Sequence, residues 1–394
     1  MPGAGRQPPE LAGRDDELET FDVELHRATD GLSVRGLVLF GLRGVGKTVL
    51  LQAMRAQADE AGWATAKVEA KPGVALAKPL AEGLTGALRG ISRKARNRGR
   101  IEAVLAALSS FGLSAGTDGV RLSVDTAPHR DALAVIPVDL TSLFTDLGKL
   151  ARDNGTGLAV FVDELQDVPH DDLVALCAAC HEMGQLALPV LLVGAGLPNL
   201  PAVLAEARSY AERLFTYLPI DKLPAEAADH ALIAPAARHG VTFTPEALAA
   251  LAALTDRYAY FIQAYGQATW DAALDSPITV DDVAAGRTAA ESTLGAFFGS
   301  RYERATPAER AYLHAMARLG DGPVPSAAVA RAARRPAKSL SPTRDTVIRK
   351  GLVYSPERGL VAFTVPHFDA FLREQDPDAS PPRRHAQARS GAAR

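Results

Sequence analysis

Eight residues, GLRGVGKT at 41–48, match the spacing G-x-x-x-x-G-K-[ST] at Gly41, Gly46, Lys47 and Thr48. Those residue types at that spacing suit one chemistry. Glycines let successive backbone N–H groups curl around phosphate oxygens, and a helix starting behind them adds its positive dipole end. Lys47 is placed to bridge the β- and γ-phosphates of a nucleoside triphosphate, and the Thr48 hydroxyl to ligate Mg²⁺. Gly44 and Val49 belong to the same nucleotide-binding set. The flanks agree: an apolar run, Leu37 to Phe40, reads as a strand leading in, and a helix-period run leads out.

A second stretch, LAVFVDELQD at 158–167, is an apolar strand that ends in two adjacent acids. Neighbouring strand residues point to opposite faces, so the pair has two separable jobs. Asp163 is expected to complete the Mg²⁺ shell. Glu164 is expected to orient or deprotonate the attacking water, which with Lys47 predicts hydrolysis rather than binding alone.

The elements that must hold these groups follow from the surrounding pattern. LPVLLVGAGLPNLP at 188–201 reads as another buried strand, breaking at Gly194. After Pro224 the chain becomes helical and Ala-rich. These motifs, in this order, resemble the AAA+ ATPases, in the branch of origin-recognition-type initiators and related bacterial ATP-binding proteins, over about residues 11–290. The resemblance implies an α/β fold: a P-loop NTPase core with a parallel sheet at 11–220 and a helical lid at 221–295.

It also implies roles. LAGRDDELETF at 11–21 resembles the branch's opening motif, which sets a Gly-Arg pair beside the adenine; Gly13 and Arg14 match it. A turn at Gly13 before a helix capped by Asp15 is the plainer reading of the same residues. The family's polar sensor of the γ-phosphate has no match at Gly194-Ala195-Gly196, and the nearest amide is Asn199. SYAERLFTYLPIDKLP at 209–224 resembles the segment whose arginine reaches a neighbouring subunit's nucleotide; Arg213 is the candidate, followed by Arg208. LTDRYAYFIQAYGQATW at 254–270 resembles a lid-helix signature, with Arg257 and Ala259 where Gly and Pro are usual. Most of its aromatics are expected in the lid core.

Residues 296–374 read as a separate winged-helix domain. Thr306 to Glu309 spells a capping box with Pro307 in the first turn, and a second helix starts at Ser326. A third is bounded by Ser341, Pro342 and Gly351, and two apolar strands flank PERG. The third helix would present Thr343, Arg344, Arg349 and Lys350 to a DNA major groove, with Arg358 meeting phosphate at the wing tip.

Charge divides unevenly. Residues 296–394 hold 17 Lys/Arg against 9 Asp/Glu, while the first 295 carry a net −11. The P-loop and Asp163 make ATP and Mg²⁺ the expected cofactors, while the basic C-terminal part prompts duplex DNA as an expected associate, beside a second copy or a protein partner. The alternative is a nucleotide-gated switch with slow turnover that contacts a protein partner. Two cysteines and no long apolar run suggest a cytoplasmic protein without a membrane span. CAACH at 177–181 fits a haem-attachment spacing, but its apolar stripe predicts helix packing. Residues 1–10 and 375–394 are expected to be disordered, and RGISRKARNRGR at 89–100 to be a solvated face.

Overall fold

The structure, a computed structural model, describes residues 6–92, 101, 104 and 136–376. From residue 93 the basic run lies outside the described residues, as does the tail beyond Asp376. Two units divide the chain, Met1–Ala290 and Glu291–Arg394.

In the first unit, strands and helices alternate. In chain order they are α1 (Asp15–Thr29), β1 (Gly36–Phe40), α2 (Lys47–Glu60), β2 (Ala64–Glu69), α3 (Ala77–Ser92), α4 (Ile136–Asp153), β3 (Leu158–Asp163) and α5 (His170–Gln185). Then come β4 (Val190–Gly196), α6 (Leu200–Ala207), α7 (Ala211–Leu214) and β5 (Phe215–Pro219). Helical crossovers between strands return the chain to the same end of the sheet, so the strands run parallel. Their order is β2-β3-β4-β1-β5. All six residues of β3 are buried, as expected for a strand covered on both faces. Phe21, Phe144, Phe161 and Phe215 are fully buried in this core, and Phe21 meets Phe161 with ring centroids 5.9 Å apart.

β4 lies between the strands that lead to the P-loop and to Asp163. Its tip is made of small residues because the space is taken by neighbours: a Cβ on Gly194 would sit 2.5 Å from Leu165 Cδ2. Cys177 and Cys180 lie on α5, the first in the core and the second packed against it. Burial pushes the Cys177 thiol up to about 11 and the Cys180 thiol up as well, so both act as apolar packing groups.

The lid helices are α8 (Ala225–Ala237), α9 (Pro245–Thr255) and α10 (Ala259–Ala272); α11 (Val280–Glu303) contains the boundary between the units. α9 starts with Thr244 accepting from the Ala247 N–H at 3.2 Å and Pro245 in the first turn. Arg238, the C-cap of α8, donates to the Pro9 carbonyl at 2.8 Å and pairs with Glu10. α1 begins at Asp15 with Arg14 as its N-cap and no side-chain cap, which corrects the reading of Asp15 as the cap.

The second unit runs through α12 (Pro307–Ala317), β6 (Val324–Pro325), α13 (Ser326–Ala332), α14 (Ala337–Arg349), β7 (Val353–Tyr354), β8 (Leu360–Phe363) and α15 (Phe368–Gln375). The capping box of α12 is present in full, Thr306 N–H donating to Glu309 at 2.7 Å. The three short strands form one antiparallel sheet in the order β6-β8-β7. α14 starts at Ala337, not at Ser341, and Pro342 lies inside it. Leu340 and Val347, seven residues apart and both buried, share one face of this helix, so packing carries the helix through the proline.

The lid explains two departures from the family signature. Arg257 has φ +58°, a region that favours glycine. Ala259 is the first helical residue of α10, where proline is favoured, and Tyr258 before it is extended (φ −80°, ψ 121°), as a residue preceding proline should be. Ala259→Pro is therefore expected to stabilise the first unit by roughly 0.4–1 kcal/mol. The urea midpoint of the full chain, followed by tryptophan fluorescence, checks this; a lower midpoint would mean that the Ala259 N–H has a partner the fold needs.

Candidate functional site

The C-terminal ends of β1 and β3 bring the two quoted motifs together. Residues 41–46 link β1 to α2 as a loop, with Gly44 at φ +91° and Gly46 at φ +100°. A Cβ on Gly41 would clash with the Ile220 carbonyl oxygen, so only glycine lets the chain pass this close to the backbone after β5. Lys47 and Thr48 open α2, with Val49 half-buried behind them.

Across the tip of β4, the Thr48 hydroxyl donates to Asp163 Oδ2 at 2.7 Å. A hydroxyl and a carboxylate oxygen in contact are a hard donor pair. It fits Mg²⁺, which takes a few protein oxygens and fills the rest of its octahedron with water and phosphate. Among the described residues no group of three or more His, Cys, Asp and Glu could hold a metal by itself, so phosphate oxygens would have to share the ion.

Lys47 is buried, and its ammonium donates to the carbonyls of Gly41 at 2.8 Å and Leu42 at 2.7 Å. Burial lowers its pKa to about 8, with Glu164 and Asp163 opposing the shift and Arg43 adding to it. A desolvated ammonium held by loop carbonyls is suited to bind an entering phosphate.

Glu164 follows Asp163 with φ +52°, a strained conformation for a residue with a side chain. Both its carboxylate oxygens are engaged. Oε1 pairs with Arg43 of the P-loop at 3.1 Å, and Oε2 accepts from Gln166 Nε2 at 2.6 Å. Asp167 lies close by; burial first, then repulsion from Glu164, raises its pKa to about 6. Sequence reasoning missed both Arg43 and Gln166. A cation inside the phosphate loop is the signal that could have found Arg43.

Gly13 (φ +64°) packs against α8, where its absent Cβ would sit 2.5 Å from that of Ala227. The buried Arg14 guanidinium donates to the carbonyls of Asp221 at 2.6 Å and Val45 at 3.2 Å, tying the end of β5 to the P-loop. Burial lowers its pKa, while Glu17 and Asp221 oppose the shift. The lid touches the same loop: Tyr258 Oη donates to the Arg43 carbonyl, and the Tyr260 N–H to the Gly44 carbonyl at 3.1 Å. Tyr258 thus belongs to the lid core and also touches the P-loop.

Arg213 is not brought to this cluster. It lies on α7 just before β5, whose first residue Phe215 is level with Gly36 at the start of β1. The P-loop begins at the other end of β1, about 17 Å along the strand at ~3.3 Å per residue. Arg213 instead lines an open groove of about 770 Å³ with Arg27, Arg35 and His181. Asn199 is the N-cap of α6, its Oδ1 buried without a partner among the described residues.

In the second unit the DNA candidates differ from one another. Arg349 and Arg358 are exposed, and Thr343 is half-buried. Arg344 is half-buried too, its Nε enclosed without a partner among the described residues. Lys350 is committed internally, pairing with Glu309 at 2.6 Å and donating to the Arg304 carbonyl at 2.9 Å. That is a correction: its ammonium is half of an ion pair on the capping box, not a free cation. The earlier start of α14 adds Lys338 to its first turn, with Arg334 and Arg335 just before it; all three are exposed. Among the described residues, no helix is long and apolar enough to cross a membrane.

Residues 10–193 match the family model described as the AAA ATPase domain. Residues 295–372 match one described as a domain of unknown function, DUF8462. No curated protein matches the chain. Among solved structures, the Walker-type ATPase PABY2304 of Pyrococcus abyssi is similar at TM-score 0.59 and 13% identity, over 93% of this chain and 98% of that one. The Aeropyrum pernix ORC1 protein, solved in complex with DNA, is similar at TM-score 0.47 and 18% identity, over 94% of each chain. The Thermotoga maritima RuvB Holliday junction branch migration motor is similar at 0.46 and 15%, over 91% and 96%. The parallel-sheet core is that of the AAA+ P-loop fold, and the activity of such a domain is ATP hydrolysis.

Lys47→Ala is expected to weaken binding of a fluorescent ATP analogue at least a hundredfold while leaving the fold intact. Affinity within threefold of the parent would show that the buried ammonium does not serve phosphate.

Proposed function

We propose that this AAA+ P-loop ATPase hydrolyses ATP with Mg²⁺ and uses its nucleotide state to control binding or remodelling of duplex DNA. In this reading Gly41, Gly44, Gly46, Lys47, Thr48 and Val49 bind the triphosphate, and Gly13 and Arg14 support the adenine side. Thr48 and Asp163 hold Mg²⁺, which screens phosphate charge when bound. Glu164 takes the proton of the attacking water or orients it. Arg213, too far from its own P-loop, serves the nucleotide of a second copy.

The second unit is read as a winged helix, with α14 as the element that enters the major groove. One observation carries this reading: Arg334, Arg335 and Lys338 gather at the N-terminal end of α14, where the helix dipole disfavours positive charge. Helix stability gives no reason for cations there, whereas a phosphate backbone does. Arg349 on the same helix and Arg358 in the β7–β8 turn add exposed charge.

ATP turnover measured at low salt, with and without duplex DNA and with Glu164→Gln as the blank, tests the coupling. Stimulation by DNA that fades as salt rises is the expected result. Turnover indifferent to DNA would favour a switch that contacts protein. The double variant Arg335→Glu/Lys338→Glu should flatten the slope of log affinity against log salt by roughly 0.9 for each phosphate it no longer neutralises.

Arg213→Ala should lower turnover about tenfold or more. Mixing it with Lys47→Ala subunits should restore part of the activity, because each supplies what the other lacks. Turnover per chain that is unchanged on dilution would argue against shared sites.

A further inference from the structure

β4 ends without the polar side chain that would face a nucleotide's terminal phosphate, and the residue filling that space comes from elsewhere. Gln166 lies in the short turn Leu165–Asp167 directly after β3. Its Oε1 accepts from the Leu197 backbone N–H at 3.0 Å, just past the tip of β4. Its Nε2 donates to Glu164 Oε2 at 2.6 Å. The orientation of the amide is fixed by chemistry: a backbone N–H can only donate, so the oxygen faces Leu197 and the nitrogen faces the carboxylate.

Gly196 makes this bridge fit. A Cβ there would clash with Gln166 Oε1 and sit 2.8 Å from Leu200 Cδ2. The missing side chain on β4 and the inserted amide are therefore one arrangement. Its result is a rigid link from the end of β4 to the carboxylate of Glu164, whose other oxygen is held by Arg43 at 3.1 Å.

We propose that Gln166 is a positioning residue for hydrolysis, holding Glu164 from the tip of β4 in place of a polar side chain on that strand. The inference rests on the reading of Glu164 as the residue that handles water. Gln166 touches neither nucleotide nor water in this scheme. It sets the direction of the carboxylate through one charge-assisted hydrogen bond, and the Leu197 N–H fixes the amide in turn. A phosphate arriving near Arg43 would compete with Glu164 for its guanidinium, leaving Gln166 as the group that still aims the carboxylate.

Steady-state kinetics, equilibrium affinity for a non-hydrolysable ATP analogue and the unfolding midpoint, measured together on the full chain, test this. Gln166→Glu is nearly isosteric and keeps an acceptor for Leu197, but sets a carboxylate against Glu164. It should lower kcat at least tenfold with analogue affinity within threefold and the midpoint unchanged. Gly196→Ala, which pushes the amide away without touching any charge, should give a similar loss. Combined with Gln166→Ala it should cost no more than either change alone, since both break one bridge.

Losses in the double variant that multiply would overturn the proposal, as would full turnover in Gln166→Glu. A parallel fall of kcat, affinity and unfolding midpoint would assign Gln166 a merely structural role and overturn it too. Glu164→Gln, measured alongside, separates the two readings. If it keeps turnover, the assignment of Glu164 fails; if it is inactive while Gln166→Glu is fully active, only the bridge fails.

Discussion

The hydrogen bond from the Thr48 hydroxyl to Asp163 Oδ2, beside the Arg43–Glu164 ion pair, joins the two halves of the site. It matters because the strands behind these residues are not neighbours: β4 runs between β1 and β3. Each strand brings its own group to the sheet edge, but the space above β4 must be kept low for the groups to meet over it. Gly194 and Gly196 keep it low, and Leu165 and Gln166 occupy what they vacate. The bond is thus the visible end of a packing constraint that begins with which strands lie side by side.

The same region carries much of the molecule's local strain. Lys47 is stripped of water and depressed to about 8, Glu164 sits at positive φ, and the half-buried Asp167 is pushed up to about 6 by desolvation and its acidic neighbour. None of this helps the folded state by itself; desolvating a charge and holding a side chain at positive φ both oppose folding. It persists because β3 and β4, the strands that end beside it, are buried at every residue and hold it in place. A triphosphate with its metal would relieve several of these penalties at once, since its negative charge favours the ammonium and its metal favours the carboxylates. Strain concentrated where a ligand removes it is a reasonable design for a site that must tell filled from empty.

How much of this is legible in the sequence depends on how far apart the partners lie in the chain. The P-loop announces itself because its chemistry is local: glycines, lysine and threonine within eight residues, with strand and helix on either side. The acid pair is legible for the same reason. Gln166, although inside the same quoted stretch, is not, because its partner Leu197 and the glycine that admits it lie some thirty residues on. Arg257 looks like a departure from pattern until its φ of +58° gives the reason that glycine is usual there. In α14 the rule that proline starts helices misplaces the boundary, since burial of Leu340 and Val347 outweighs one missing backbone hydrogen bond. Lys350 reads as a free cation because nothing local shows that Glu309, some forty residues earlier, lies against it.

The lid gives the site its outlet. Its tyrosines do not stop at the lid core, for Tyr258 reaches the Arg43 carbonyl and the Tyr260 N–H reaches the Gly44 carbonyl. Arg43 also holds Glu164, so one loop residue meets the lid through its backbone and the reactive carboxylate through its side chain. A change in what the Arg43 side chain holds therefore bears on both. In the proposed reading, a phosphate that draws the guanidinium away would leave the carboxylate to Gln166 alone and pull on the backbone to which the lid is tied. Arg14 secures the far side of the loop, between Val45 and Asp221, while the lid meets the segment around Arg43 and Gly44. That segment, fixed at its root and touched by the lid at its tip, is where the proposed reaction and the proposed conformational response draw on the same few atoms.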